Sequence, residues 1–129
     1  MGDLQEFAAQ MCESISTATG HIAAIADRDG IIALHGVPRK ELLDKPNSPE
    51  LEKLMEQRKN YLFKSGDSPI SPAQGEEKYH LGAASPILSQ GDLMGSVLLL
   101  LGENDLPLDP SDQNLTRAVA GFLGRQMES

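Results

Sequence analysis

The apolar positions of this chain change period several times, and each change marks a new element. From residue 4 to 18, Leu4, Phe7, Ala8, Met11, Ile15 and Ala18 fall on one stripe of an α-helix, with Asp3 expected as its N-cap and Gly20 as its C′ residue. Residues 21–35, HIAAIADRDGIIALH, hold two short β-compatible runs around Asp27-Arg28-Asp29-Gly30, and Gly30 is expected to supply the positive φ of a hairpin turn. Two short helical stretches follow, Pro38 to Leu43 and Pro49 to Arg58, the second carrying Leu51, Leu54 and Met55 on one face. Tyr61-Leu62-Phe63 suits a strand. Residues 64–78 concentrate Gly, Pro, Ser and charge, and predict an exposed loop with a short extended piece at Ile70.

Tyr79 to Leu88 and Leu93 to Leu101 then predict a strand pair turning at Gly91-Asp92, its second arm ending in an unbroken aliphatic run that suits a strand covered on both faces. Asn104 to Pro110 is a connector. Ser111 is the expected cap of a last helix in which Leu115, Ala118, Val119, Phe122 and Leu123 recur at helical spacing. Ala120 and Gly124, four apart, would let another helix approach closely. A strand-rich middle between terminal helices predicts an α+β domain with an antiparallel sheet.

The length of 129 residues allows one domain with a real core and is too short for two ordinary ones. A formal net charge of −8 opposes phosphate backbones, so no direct nucleic-acid binding by this chain is expected. The apolar run Val97 to Leu101 is far below the roughly 20 residues that cross a bilayer, so no membrane association is expected. No secretory leader opens the chain and Cys12 is its single cysteine, which together suit a cytoplasmic location.

Catalytic and metal signatures are missing. Asp27-x-Asp29 begins like a calcium loop, but the later ligand positions hold Ile31, Ile32 and Pro38. His21, His35 and His80 show no paired metal-ligand spacing. Gly91 to Gly95 lacks the Lys-Ser/Thr of a phosphate loop and leads into a strand, so it reads as a hairpin turn followed by a tight strand position. Cys12 has no neighbouring base in sequence and reads as a core or interface thiol. No catalytic residue, metal or cofactor is expected.

The segment PILSQGDLMGSVLLL at 86–100 resembles the strand pair shared by GAF-type small-molecule sensor domains. LQEFAAQM at 4–11, GHIAAIADRDG at 20–30, LEKLMEQR at 51–58 and AVAGFLGRQME at 118–128 join it in resembling the C-terminal domains of stage V sporulation protein T regulators. The resemblance covers nearly the whole chain, 1–129, as a single domain. It implies a GAF-like sheet with the terminal helices on one face and short helices and loops over the other. It also implies a homodimer paired through the terminal helices, an unidentified small-molecule effector, and an AbrB-type N-terminal DNA-binding domain absent from this chain. His35, Arg39, Arg58, Tyr61, His80 and Ser85 are the polar groups nearest such a ligand site, and each is equally readable as an ordinary solvated residue.

Three functions compete on this reading. The first is a ligand-sensing and dimerising regulatory domain. The second is a purely structural oligomerisation module with a closed pocket. The third is a GAF-scaffold enzyme such as a methionine sulfoxide reductase, whose chemistry requires reactive cysteines with a resolving partner. The lone Cys12 disfavours the enzyme.

Overall fold

The computed structural model describes residues 4–103 and 105–128. Helix α1 spans Leu4–Thr19, strands β1 and β2 Ile22–Asp27 and Ile31–His35, and a 3-10 turn Arg39–Glu41. Helix α2 is Pro49–Glu56, and β3, β4 and β5 are Tyr61–Leu62, His80–Ser89 and Asp92–Leu101. Helix α3, Pro110–Gln126, closes the order. The strands form one antiparallel sheet in the order β2-β1-β5-β4-β3, the α+β architecture expected from the patterning.

The sheet separates two apolar layers, because side chains alternate across a pleated strand. Along β5, Val97, Leu99 and Leu101 face a layer built with Leu4, Ala8, Cys12 and Ile15 of α1 and Ala120 and Leu123 of α3. Leu98 and Leu100 face a second layer with Leu42, Leu51, Met55, Ala73, Tyr79 and Leu81. The terminal helices therefore share one face, and α2 with its flanking loops covers the other. Strand β5 is the buried wall between them, as its unbroken aliphatic run required.

Several local expectations change for identifiable reasons. Asp3 lies outside the described residues. The N-cap of α3 is Asp109, with Pro110 in the first turn and Asp112 completing a capping box. Ser111 sits inside the helix and hydrogen-bonds Asp109 through both its amide and its hydroxyl. Those bonds stabilise the ionised carboxylate and hold Asp109 below its ordinary pKa. The β4–β5 turn is Gln90-Gly91, with φ of 51° and 85°, and Asp92 already belongs to β5. Two consecutive positive φ values match the twist of the strands they join. Gly30 does not have a positive φ. Instead a Cβ there would lie 2.5 Å from the Lys45 carbonyl oxygen, so glycine is required by close approach.

Pro86 lies inside β4. It is tolerated because β3 pairs only with Ala83 and Ala84, which leaves that edge of β4 without a strand beside Pro86. Ala120 and Gly124 are buried, but the neighbour they admit is strand β4, not a helix: a Cβ on residue 124 would lie 2.0 Å from the Leu88 carbonyl oxygen. The exposed loop holds for residues 64–69. Beyond them Pro72, Ala73, Glu76 and Tyr79 are buried, so the second half of the loop is a strap laid across the α2 face.

Candidate ligand face and the terminal-helix face

The β1–β2 turn is a knot of local hydrogen bonds. Asp27 Oδ1 accepts from the amides of Asp29 and Gly30 at 2.8 and 2.9 Å. The fully buried Asn47 fastens this turn to the segment before α2, donating from Nδ2 to the Asp27 carbonyl at 2.9 Å and from its amide to the Asp29 carbonyl at 2.9 Å. Beside the turn lies an open cleft of about 590 Å³, lined by Asp27, Arg28, Asp29, Glu56, Arg58, Asp92, Leu93 and Met94. Its lining is mixed in charge and includes the apolar Leu93 and Met94.

The six residues singled out in the sequence do not converge on one pocket. Arg58 lines that cleft, but its guanidinium is occupied. Nε and Nη2 donate to the Gly91 carbonyl at 3.4 and 3.2 Å, and Nη1 to the Glu56 carbonyl at 3.1 Å, which ties the end of α2 to the β4–β5 turn. His35 and Arg39 are exposed and border a different cleft against Ala9, Gln10 and Glu13 of α1. His80 packs edge-on against Phe63 with ring centroids 4.7 Å apart, in a third cleft with Ser71, Glu76 and Glu103. Ser85 points to the terminal-helix layer, where its hydroxyl lies 3.0 Å from that of Thr116 on α3. Tyr61 packs on the α2-face layer. Burial, with Asp67 nearby, raises its phenol pKa, and its hydroxyl is buried without a hydrogen-bond partner.

The residues that organise the covered face were not singled out in the sequence. Glu76 falls in the loop expected to be exposed, and Lys45 and Asn47 carry no reading at all, yet Glu76 is nearly buried and Asn47 fully so. The retrievable signal was Ala73, a core-compatible residue inside the loop, together with Tyr79 at the start of the expected strand, the two bracketing Glu76. Among the described residues, no three of His, Cys, Asp and Glu come close enough to hold a metal ion, and no helix is long and apolar enough to cross a membrane.

Cys12 is fully buried in the terminal-helix layer, and desolvation pushes its thiol up to about 12. The thiolate is the nucleophile, so this sulfur is inert at neutral pH. A thiol reagent at pH 8 is therefore expected to leave the folded chain unmodified over a time in which the urea-unfolded chain reacts fully. Comparable rates in the two states would show that α1 does not hold Cys12 against the sheet.

The terminal helices leave an apolar stripe on their outer side. On α3 the innermost residues are Thr116, Ala120, Leu123 and Gly124, while Leu115 and Val119 are half-buried and Phe122 is 41% exposed. Phe7 and Met11 of α1 are half-buried against the same layer.

The model of the family described as "Stage V sporulation protein T C-terminal, transcription factor" matches residues 3–128. Stage V sporulation protein T of Bacillus subtilis (strain 168) is 31% identical over 129 residues, covering 99% of this chain and 71% of that protein. Among solved structures, the GAF domain of a phosphoenolpyruvate-protein phosphotransferase from Acinetobacter superposes with a TM-score of 0.71 at 12% identity, covering 96% of this chain and 81% of that one. The cofactor binding GAF domain of the nutrient sensor CodY from Clostridium difficile gives 0.64 at 14% identity, covering 92% and 83%. A type II free methionine-R-sulfoxide reductase from Thermoplasma acidophilum gives 0.63 at 12% identity, covering 95% and 93%. At these identities the solved structures establish the fold, and they span sensing and catalytic proteins alike. The chain itself belongs to the stage V sporulation protein T C-terminal family, as a GAF-fold regulatory domain of a transcription factor.

Proposed function

We propose that this domain senses a small molecule on its α2 face and pairs with a second copy through its terminal helices, without catalysis. The observation that carries the reading is the two-sided role of β5. Its successive side chains line the α2 layer and the helix layer in turn, so a change in packing on one face is felt on the other one residue away. The α2 layer is mainly aliphatic, which suits a small ligand with an apolar body. The CodY domain, described as cofactor binding, supports use of this fold for sensing. The exposed Phe122, in line on α3 with the half-buried Leu115 and Val119, supports pairing, because an exposed apolar patch on a helix gains by being covered. The net charge of −8 supports leaving DNA contact to another part of the protein, in the cytoplasm where transcription occurs. The reductase relative in fold raises the enzymatic alternative, but the buried Cys12, alone in the sequence, offers no thiolate and no resolving thiol.

A second reading has an observation in its favour. Leu42, Leu51, Met55, Leu81, Leu98 and Leu100 fill the α2 layer, which suits a purely structural module. A native mass spectrum of the purified chain separates the two. The expected result is a dimer carrying additional small-molecule mass. A bare dimer would favour the structural module, and a monomer would remove the pairing. Phe122→Asp is expected to convert the dimer to monomer, since it places a charge in the centre of the proposed contact. An unchanged dimer mass would move the interface elsewhere.

A further inference from the structure

The strap, residues 70–79, is fastened in a way that ordinary loops are not. Its backbone is bonded to the segment before α2, with the Ser48 amide donating to the Pro72 carbonyl at 3.2 Å and the Gln74 amide to the Pro46 carbonyl at 2.9 Å. The Leu81 amide donates to the Ile70 carbonyl at 2.8 Å, joining the strap to β4. Two ion pairs cross between strap and segment in opposite senses. Lys45 Nζ lies 3.5 Å from Glu76 Oε1, and Lys78 Nζ lies 3.5 Å from Glu41 Oε1, so each side contributes one cation and one anion. The Glu76 carboxylate is only 6% exposed, and its second oxygen accepts from the Lys78 and Tyr79 amides at 2.7 and 3.0 Å.

This fastening is polar, while the layer beneath is aliphatic. Only Ala73, Tyr79 and the half-buried Ile70 of the strap reach that layer. Leu42, Leu51, Met55, Leu98 and Leu100 belong to the sheet, α2 and the turn before it. Lifting the strap therefore exposes little apolar surface of its own and leaves the sheet, α2 and the opposite layer packed. The closed state also carries unmet polar demands close by: Glu41 Oε2 and Asn47 Oδ1, both on the segment the strap grips, are buried without partners. Water would satisfy them on opening, which narrows the gap between closed and open.

We propose that residues 70–79 act as a latched gate over the α2 face, opening and closing as one unit, with the crossed Lys45–Glu76 and Lys78–Glu41 pairs as the latch. The gate deepens the sensing reading above and rests on it for what passes beneath. An effector with an apolar body enters under the strap, and closure of the latch retains it.

The test is residue-resolved hydrogen exchange on the intact chain with no effector added. The Ser48, Gln74 and Leu81 amides are expected to exchange together, through an opening less costly than the one that releases the β1–β5 ladder. Lys45→Met is expected to speed those three amides about fivefold, the scale of one ion pair, and to leave the ladder unchanged. Glu41→Gln is expected to act in the same direction. The unmodified chain gives a second answer without a variant, because raising NaCl to about 0.5 M screens the more exposed Lys78–Glu41 pair and should speed only the strap amides. Exchange of all three amides with the ladder, or strap rates indifferent to both variants and salt, would overturn the gate. The measurement needs no ligand, so failure of the gate is read here and failure of sensing is read from the native mass.

Discussion

Gly95→Ala is expected to cost about 3 kcal/mol of stability, a large loss for one methyl group. A Cβ at residue 95 would lie 2.0 Å from the Ala26 carbonyl oxygen and 3.0 Å from the Asp27 Cα. Both atoms are backbone, so no side-chain rotation relieves the clash. The strand cannot step aside either: β5 is the middle of five, held by β1 on one side and β4 on the other. Relief requires opening the β1–β5 ladder near Asp27↔Gly95, which gives up hydrogen bonds as well as packing. Urea unfolding should show a lower midpoint with an unchanged slope, and the melting temperature should fall by roughly 10 °C. A change within about 0.5 kcal/mol, the range of ordinary surface substitutions, would mean that the two strands do not approach this closely.

Gly124→Ala should destabilise by about 2 kcal/mol, against the intrinsic preference of helices for alanine. The reason is the seat of α3 on the sheet, where the new methyl would meet the Leu88 carbonyl oxygen at 2.0 Å and its carbon at 3.0 Å. A helix can tilt away more readily than a central strand can, so the loss is smaller than at Gly95. Gly121, one turn earlier, is the internal control. The nearest atom to a Cβ there is Arg125 Nη1 at 3.9 Å, so Gly121→Ala should stabilise by about 0.5–1 kcal/mol. Opposite signs for the same chemical change three residues apart identify packing as the cause. The same sign for both would leave only helix propensity. Because α3 also carries Phe122, tilting at Gly124 is expected to weaken the proposed pairing of two copies as well.

Periodicity made α1, the paired strands, α2 and α3 readable, because each buries one regular stripe against the sheet. The misplaced details come from chemistry that periodicity does not register. The cap of α3 was written in Asp109-Pro110-Ser111-Asp112, whose acid at the cap and acid three residues on outrank the serine between them. The turn after β4 was written in Gln90-Gly91, where the position of Gly91 fixed the hairpin but not which residue preceded it. Patterning alone reached an α+β domain, the resemblance of five segments to known regulators implied the GAF fold, and the family and structural comparisons agree.

The candidate site was much less legible. Ser85 and Tyr61 are one residue type apart in polarity, and nothing local tells which face of the sheet each meets. That depends on the bulges in β4, between Leu81 and Ala83 and between Ile87 and Leu88, which shift its register against β5. Arg58 was a candidate as a polar group near the implied ligand site, whereas here its guanidinium closes on a carbonyl 33 positions away. The strap was hidden because most of its anchors are ion pairs and backbone bonds, which leave no hydrophobic pattern beyond Ala73 and Tyr79.

The strand order also sets a timetable. Strand β1 has its inner partner in β5, roughly seventy residues later in the chain, with β2, α2, β3 and β4 made in between. A ribosome adding about 5–20 residues per second needs several seconds to cover that distance, while the β1–β2 hairpin can close in about 1–10 μs. During synthesis the run Ile22-Ala23-Ala24-Ile25-Ala26 therefore waits with one edge bare, able to pair with any other strand that arrives first. Once β5 emerges, the β4–β5 hairpin and β1 complete the sheet and the α2 layer, while the opposite layer closes only when α3 follows with Ala120 and Leu123.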